Sequence, residues 1–165
     1  MAMNKKKGII ETSILGIGPI LFIWTVGYGL VMVYLNYKFS GGLFFLNSLP
    51  QYATFAFGDI FLFIGSIIFF KSFLALKESR QKGKLAVEGV YGFMRHPMYA
   101  AWIFFIIPGI AVIARSLFFL SVALCAYCVY KYFIKAEEDV LEYQFGQDYI
   151  HYKNSAGLLF LNNRR

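Results

Sequence analysis

The chain has 165 residues, 59% of them hydrophobic, 20% aromatic and only 15% charged, with a formal net charge of +7. That composition excludes a water-soluble globular fold and reads as an all-α integral membrane protein forming a single membrane-embedded domain over residues 1–165. The basic residues lie beside apolar runs, where anionic headgroups attract them, so the positive charge implies contact with membrane lipids and no nucleic acid.

About four transmembrane helices are expected, because a hydrocarbon core takes roughly 20 helical residues and four segments are apolar enough. The first covers 12–35 and reads as a retained span, since no small-residue cleavage signature follows it. The second, 53–76, carries Asp59 toward its start and Lys71 toward its end, from where a lysine can snorkel to the interface. Asp59 is a carboxylate inside an apolar run, which raises a functional reading beside the plainer one of an interfacial or hydrogen-bonded acid. The third and fourth segments, 98–114 and 117–134, are short and separated only by Arg115-Ser116, so they should form a helical hairpin. Spans of that length reach only partly across, or the bilayer thins around them. Pro108-Gly109 predicts a kink in the third.

Cys125 and Cys128 stand one turn apart within the fourth segment, with no second ligand pair near, and read as packing residues. Two histidines, His96 and His151, are too few for zinc without other ligands, so no metal site is expected. Lys5, Lys6 and Lys7 precede the first span, and Lys77, Arg80, Lys82, Lys84 and Arg95 lie between the second and third. The other side carries only Lys38 and Arg115. Both termini should therefore be cytosolic.

After Ile134 the pattern becomes a C-terminal cytosolic amphipathic helix. Ile134, Leu141 and Phe145 share one face, and Glu137 and Glu138 interrupt it. One or both of these acids should look inward, whereas Asp139 and Glu142 face water; an ion pair with Lys131 or Lys135 is the plainer alternative. Arg95-His96-Pro97 ends the basic loop where the third span begins, with Tyr91 and Tyr99 close by in sequence. Pro97 suits a first helical turn. Cation, imidazole and phenols on one side of the membrane, with acids returning there after the hairpin, could hold a polar ligand bearing both charges.

Glu88-Gly89-Val-Tyr91 leading into Arg95-His96-Pro97-Met-Tyr99, followed by Glu137-Glu138, Leu141, Phe145-Gly146 and Tyr149-x-x-Tyr152, resembles the isoprenylcysteine carboxyl methyltransferase family and the related membrane phospholipid methyltransferases. The likeness covers roughly the C-terminal half. It implies an S-adenosyl-L-methionine-dependent membrane enzyme, with S-adenosyl-L-homocysteine as product and a cofactor region over 88–152. It places Arg95 and Glu138 as catalytic residues, and Tyr91, Arg95, His96, Pro97, Tyr99, Glu137, Glu138 and Tyr149 as cofactor-binding residues. The acceptor would be a lipophilic small molecule or lipidated substrate, through a carboxylate or a lipid headgroup. The membrane would be the cell membrane in a prokaryote and the endoplasmic reticulum in a eukaryote. The ending Gly157-Leu158-Leu159-Phe160-Leu161 lacks the Arg and Pro that some members carry after the last tyrosine, which affects the expected acceptor end.

The chemistry agrees with that expectation, since methyl transfer from a sulfonium is an in-line displacement needing alignment and exclusion of water. Glu137 or Glu138 would take the cofactor's ammonium or ribose hydroxyls, His96 would give a hydrogen bond, and Arg95 would pair with a carboxylate. Tyr91 or Tyr99 would face the sulfonium, worth roughly 0.5 to 2 kcal/mol. A nicotinamide-dependent sterol reductase and a non-catalytic membrane subunit are the rival readings.

Overall fold

The computed structural model describes residues 16–39 and 49–159. The described residues fold as five α-helices: α1 Gly18–Lys38, α2 Gln51–Gln81, α3 Pro97–Ile113, α4 Phe118–Phe145 and α5 Gln147–Ser155. A 3-10 turn at Gly89–Gly92 interrupts the connection from α2 to α3. Helices α1, α2 and α4 are long and apolar enough to cross a membrane, whereas α3 is shorter. Lys5, Lys6 and Lys7, on which half of the orientation argument rests, lie outside the described residues.

The lengths explain how the bundle sits in a bilayer. The 21 residues of α1 rise about 31 Å, close to the hydrocarbon thickness of about 30 Å. The 31 residues of α2 rise about 46 Å, so its last turns overshoot the hydrocarbon and carry Lys77 and Arg80 with exposed side chains. Asp59 and Lys71 are exposed on the same helix. The expected fourth span, 117–134, and the first half of the expected amphipathic helix form one continuous helix, α4. Inward-facing acids do not stop a helix; Gly146, at φ 56°, does, and α5 starts beyond it.

Packing follows residue size. α2 packs along α3, α1 along α4, and α3 meets α4 through the hairpin. The buried positions of α2 are Thr54, Gly58, Gly65 and Ser72, a stripe of small residues that lets α3 approach its backbone. A Cβ on Gly58 would lie 2.3 Å from Ile113 Cγ1 and 3.0 Å from the Gly109 carbonyl oxygen. The looseness expected at Pro108-Gly109 takes the form of a π-helical stretch, Trp102–Ile106, in which the Ile107 N–H reaches the Trp102 carbonyl five residues back. Pro108 has no N–H to continue the α ladder, and widening the preceding turn is one way to accommodate its ring. At the hairpin tip, Arg115 takes a left-handed φ of 53° and donates from Nη2 to the Leu49 carbonyl at 2.8 Å, tying the tip to the start of α2. Cys125 and Cys128 are free thiols.

Alanine substitution should therefore act in opposite directions on two helices. Gly58→Ala should lower stability by about 1–3 kcal/mol through overpacking. Gly27→Ala, where nothing lies within 4 Å, should be neutral or stabilising by up to about 1 kcal/mol. Thermal unfolding in detergent measures both.

Candidate functional site

The polar residues of the chain converge where α4 leaves the bundle. Its inward stripe runs Tyr130, Ile134, Glu137, Glu138 and Leu141, the spacing of one helical face. Glu137 and Glu138 keep only 13% and 12% of their side-chain surface exposed, whereas Asp139 and Glu142 lie outward. Buried carboxylates need partners. Glu138 pairs with the Arg95 guanidinium, stands 3.5 Å from His96 Nε2 and 3.5 Å from Lys153 Nζ. Glu137 accepts the Ile17 N–H at 3.0 Å and the Tyr99 hydroxyl at 3.0 Å on the same oxygen, with His96 Nδ1 3.8 Å from the other. Lys131 and Lys135 face outward and are not the partners.

Arg95 and His96 are fixed from behind by backbone. The Arg95 N–H donates to the Gly157 carbonyl at 2.7 Å and the His96 N–H to the Leu158 carbonyl at 3.2 Å, next to a parallel bridge between Met94 and Gly157. Tyr152 completes the clasp: its hydroxyl donates to the Tyr91 carbonyl at 2.7 Å, holding the 3-10 turn against α5. The His96 ring stacks on Tyr99 at 5.7 Å and meets Tyr130 edge-on at 6.1 Å. Tyr130 is fully buried, and its hydroxyl has no hydrogen-bond partner among the described residues.

These groups border a cleft. Its walls come from the overshooting end of α2 (Leu76, Arg80), the loop (Gly83 to Ala86), the 3-10 turn (Tyr91), the start of α3 (Arg95, His96, Met98, Tyr99), α4 (Glu137, Leu141, Gln144, Phe145) and α5 (Tyr149, Tyr152). It offers ≈ 150 Å³ to the centres of water-sized molecules, and ≈ 900 Å³ of void when its open mouth is included. A second, almost wholly apolar groove of ≈ 380 Å³ lies between α1 (Gly18, Pro19, Leu21, Phe22), α2 (Phe69) and α3 (Met98, Tyr99, Trp102). Met98 and Tyr99 line both.

Of the residues expected from sequence, Tyr91, Arg95, His96, Tyr99, Glu137 and Tyr149 stand on the cleft wall. Glu138 and Pro97 stand behind it: Glu138 braces Arg95, and Pro97 is a fully buried residue opening α3. Sequence reasoning left out Arg80, Lys84, Met98, Tyr152 and Lys153, and the carbonyls of Gly157 and Leu158. Lys153, one turn after Tyr149, was visible as a cation on the helix that carries that motif residue; the backbone acceptors had no residue-type signal at all. Among the described residues, no cluster of three or more His, Cys, Asp or Glu is placed to hold a metal.

Comparison with known sequences assigns this helix bundle to a class of membrane methyltransferases. The profile of the phospholipid methyltransferase family matches residues 53–148, more than half of the chain, and the chain belongs to that family. It is also similar to a protein-S-isoprenylcysteine O-methyltransferase of Dictyostelium discoideum, with 28% identity over 83 residues, covering 50% of this chain and 35% of that protein. The chain thus aligns with about a third of that relative's length. No solved structure matches it at a significant level.

Two measurements check this geometry. Ending the chain after Ala156 removes both backbone acceptors, so hydrogen exchange at the Arg95 and His96 amides should speed up about tenfold or more, while amides inside α1 and α4 keep their protection. Burial pushes the phenols of Tyr91, Tyr149 and Tyr152 well above their ordinary value of 10.0. A pKa raised by folding stabilises fully below the unfolded value and is lost as pH rises, so stability should fall as pH climbs beyond about 10. Spectrophotometric titration near 295 nm should show these three phenols ionising after the exposed ones.

Proposed function

We propose that the chain transfers a methyl group from S-adenosyl-L-methionine to a lipophilic acceptor at the cytosolic face of the membrane. The observation that carries this reading is the contact between two unlike cavities: a charged, aromatic cleft and an apolar groove meet at Met98 and Tyr99. A polar donor can lie in one and a lipid chain in the other, with their reacting atoms brought together where the walls are shared. The family match and the isoprenylcysteine methyltransferase relative support the reaction type.

The donor set suits the cofactor. Arg95, Arg80 and Lys84 offer cations to a carboxylate, Glu137 offers an anion to an ammonium, and Leu76, Leu85, Leu141 and Phe145 offer apolar surface to a purine. When bound, the cofactor supplies an electrophilic methyl on a sulfonium. Tyr91 and Tyr99 present aromatic faces that stabilise positive charge there by roughly 0.5 to 2 kcal/mol. Glu138 acts on Arg95 rather than on the ligand, holding the guanidinium in one orientation with Lys153 sharing its charge. His96 is held in place by its stack on Tyr99, so its imidazole meets a ligand in a fixed direction. The apolar walls keep water from the reacting centre.

An already ionised carboxylate acceptor needs no base, whereas an ammonium must first lose a proton. Both acids of the site are engaged, Glu137 by Ile17 and Tyr99 and Glu138 by Arg95 and Lys153, which favours a carboxylate on a lipidated cysteine over a lipid amine. The groove lies between α1 and α2, so the acceptor arrives sideways from the bilayer. The basic residues at the end of α2 and in the loop after it support a cytosolic position for this end.

Calorimetry with S-adenosyl-L-homocysteine on the full chain in detergent should show saturable binding, weakened about 10- to 100-fold in Arg95→Ala, the loss expected for a hydrogen bond to a charged group. With a radiolabelled methyl donor, an S-prenylated cysteine bearing a free carboxylate should be labelled in preference to phosphatidylethanolamine. Labelling of the amine alone overturns the carboxylate assignment. Preferential binding of a reduced nicotinamide dinucleotide overturns methyl transfer.

A further inference from the structure

Glu137 does more than face the cleft: it holds the beginning of α1. The turn entering α1 has Gly16 at φ +59°, and the Ile17 N–H that follows is one of the donors a helix start leaves without an intrahelical partner. Glu137 Oε2 satisfies it at 3.0 Å across 120 residues of sequence, and a carboxylate at a helix N-terminus also gains from the helix dipole. The fit is close. A Cβ on Gly16 would lie 2.6 Å from both Cδ and Oε1 of Glu137 and 2.7 Å from Oε2, so only glycine admits the carboxylate. Ile17 itself is completely buried.

The same carboxylate accepts the Tyr99 hydroxyl, and Tyr99 lines both cavities. The residues that follow Ile17, namely Gly18, Pro19, Leu21 and Phe22, form the α1 wall of the apolar groove. A single side chain therefore touches the cleft, the residue between the two cavities, and the start of the groove's α1 wall. Among the described residues, the α2 wall reaches the groove through Phe69.

We propose that Glu137 is a latch that couples the two cavities. A cationic group in the cleft, on the donor-site reading above, competes with the Ile17 amide for the carboxylate. As the carboxylate turns toward that group, the first turn of α1 is released and the groove widens to admit a lipid chain. With the carboxylate on the Ile17 amide, the latch is closed and the first turn of α1 is held. The acceptor is thereby admitted after the donor, and Glu137 is a positioning residue for the acceptor as well as a wall of the donor cleft. Because linkage is reciprocal, a lipid chain in the groove strengthens binding in the cleft by the same factor.

The test uses the full chain in bilayers containing brominated phospholipid. Trp102 lines the groove, and Trp24→Phe removes the chain's other tryptophan, so quenching of Trp102 reads lipid in the groove. Saturating S-adenosyl-L-homocysteine should raise quenching about twofold and speed exchange of the Ile17 amide about tenfold, the loss expected for one charge-assisted hydrogen bond. Gly16→Ala and Glu137→Gln should show the raised quenching with no ligand present and should respond little to ligand. Gly16→Ala leaves Arg95, His96 and Glu138 intact, so calorimetry on it separates loss of the latch from loss of the cleft. If S-adenosyl-L-homocysteine binds but neither quenching nor Ile17 exchange changes, the latch is wrong. If it does not bind, the donor-site reading fails, and the latch then stands or falls on whether Gly16→Ala and Glu137→Gln raise quenching unaided. Unchanged quenching in both variants overturns it under either result.

Discussion

Two neighbouring carboxylates on α4 hold one end of the bundle together. Glu138 secures Arg95 at the entrance of α3, and Glu137 secures both Ile17 at the entrance of α1 and Tyr99 inside α3. Buried charge is costly unless it is paired and hydrogen-bonded, so these acids specify where the other helices begin. Removing one partner would leave an uncompensated ion and strain every contact that depends on it. The chemistry of the cleft and the register of the bundle thus rest on the same pair of side chains, which is why site and fold cannot be perturbed independently at this end of the molecule.

The rest of the bundle is arranged around that constraint. α1 and α2 find different partners, α4 and α3 respectively, and an apolar groove lies between them. In water such a groove would collapse or attract another chain; in a bilayer lipid tails are as apolar as its walls, so it can persist as a route into the protein. Small residues on α2 do the opposite work. Gly58 and Gly65 let α3 pack closely toward the far end of the hairpin, while the end that carries the cleft is held by polar contacts.

Much of this was legible in the sequence, for definite physical reasons. Hydrophobic runs of about 20 residues announced α1 and α2, and the two-residue break at Arg115-Ser116 announced the hairpin. The inward turn of Glu137 and Glu138 followed from their place on the Ile134–Leu141 face. Less legible was the extent of α4, because hydropathy records where the chain leaves lipid and not where the helix ends; the end lies at Gly146, in a positive-φ conformation. Pairing was also hidden. The partners of the acids come from Arg95, Lys153 and a backbone amide 120 residues away, and no local spacing rule reaches that far. Residues 157–158 looked like a departure from the family's ending, yet they contribute through their carbonyls, which any residue type supplies.

That last contribution bears on how the protein is made. Chains emerge amino-terminus first, and their parts fold as they appear. The described helices that are long and apolar enough to cross the membrane are synthesised before Gly157 and Leu158, the positions that fix Arg95 and His96. The bundle can therefore be seated in the bilayer while its charged corner is still open, and that corner closes only once these later residues have been made.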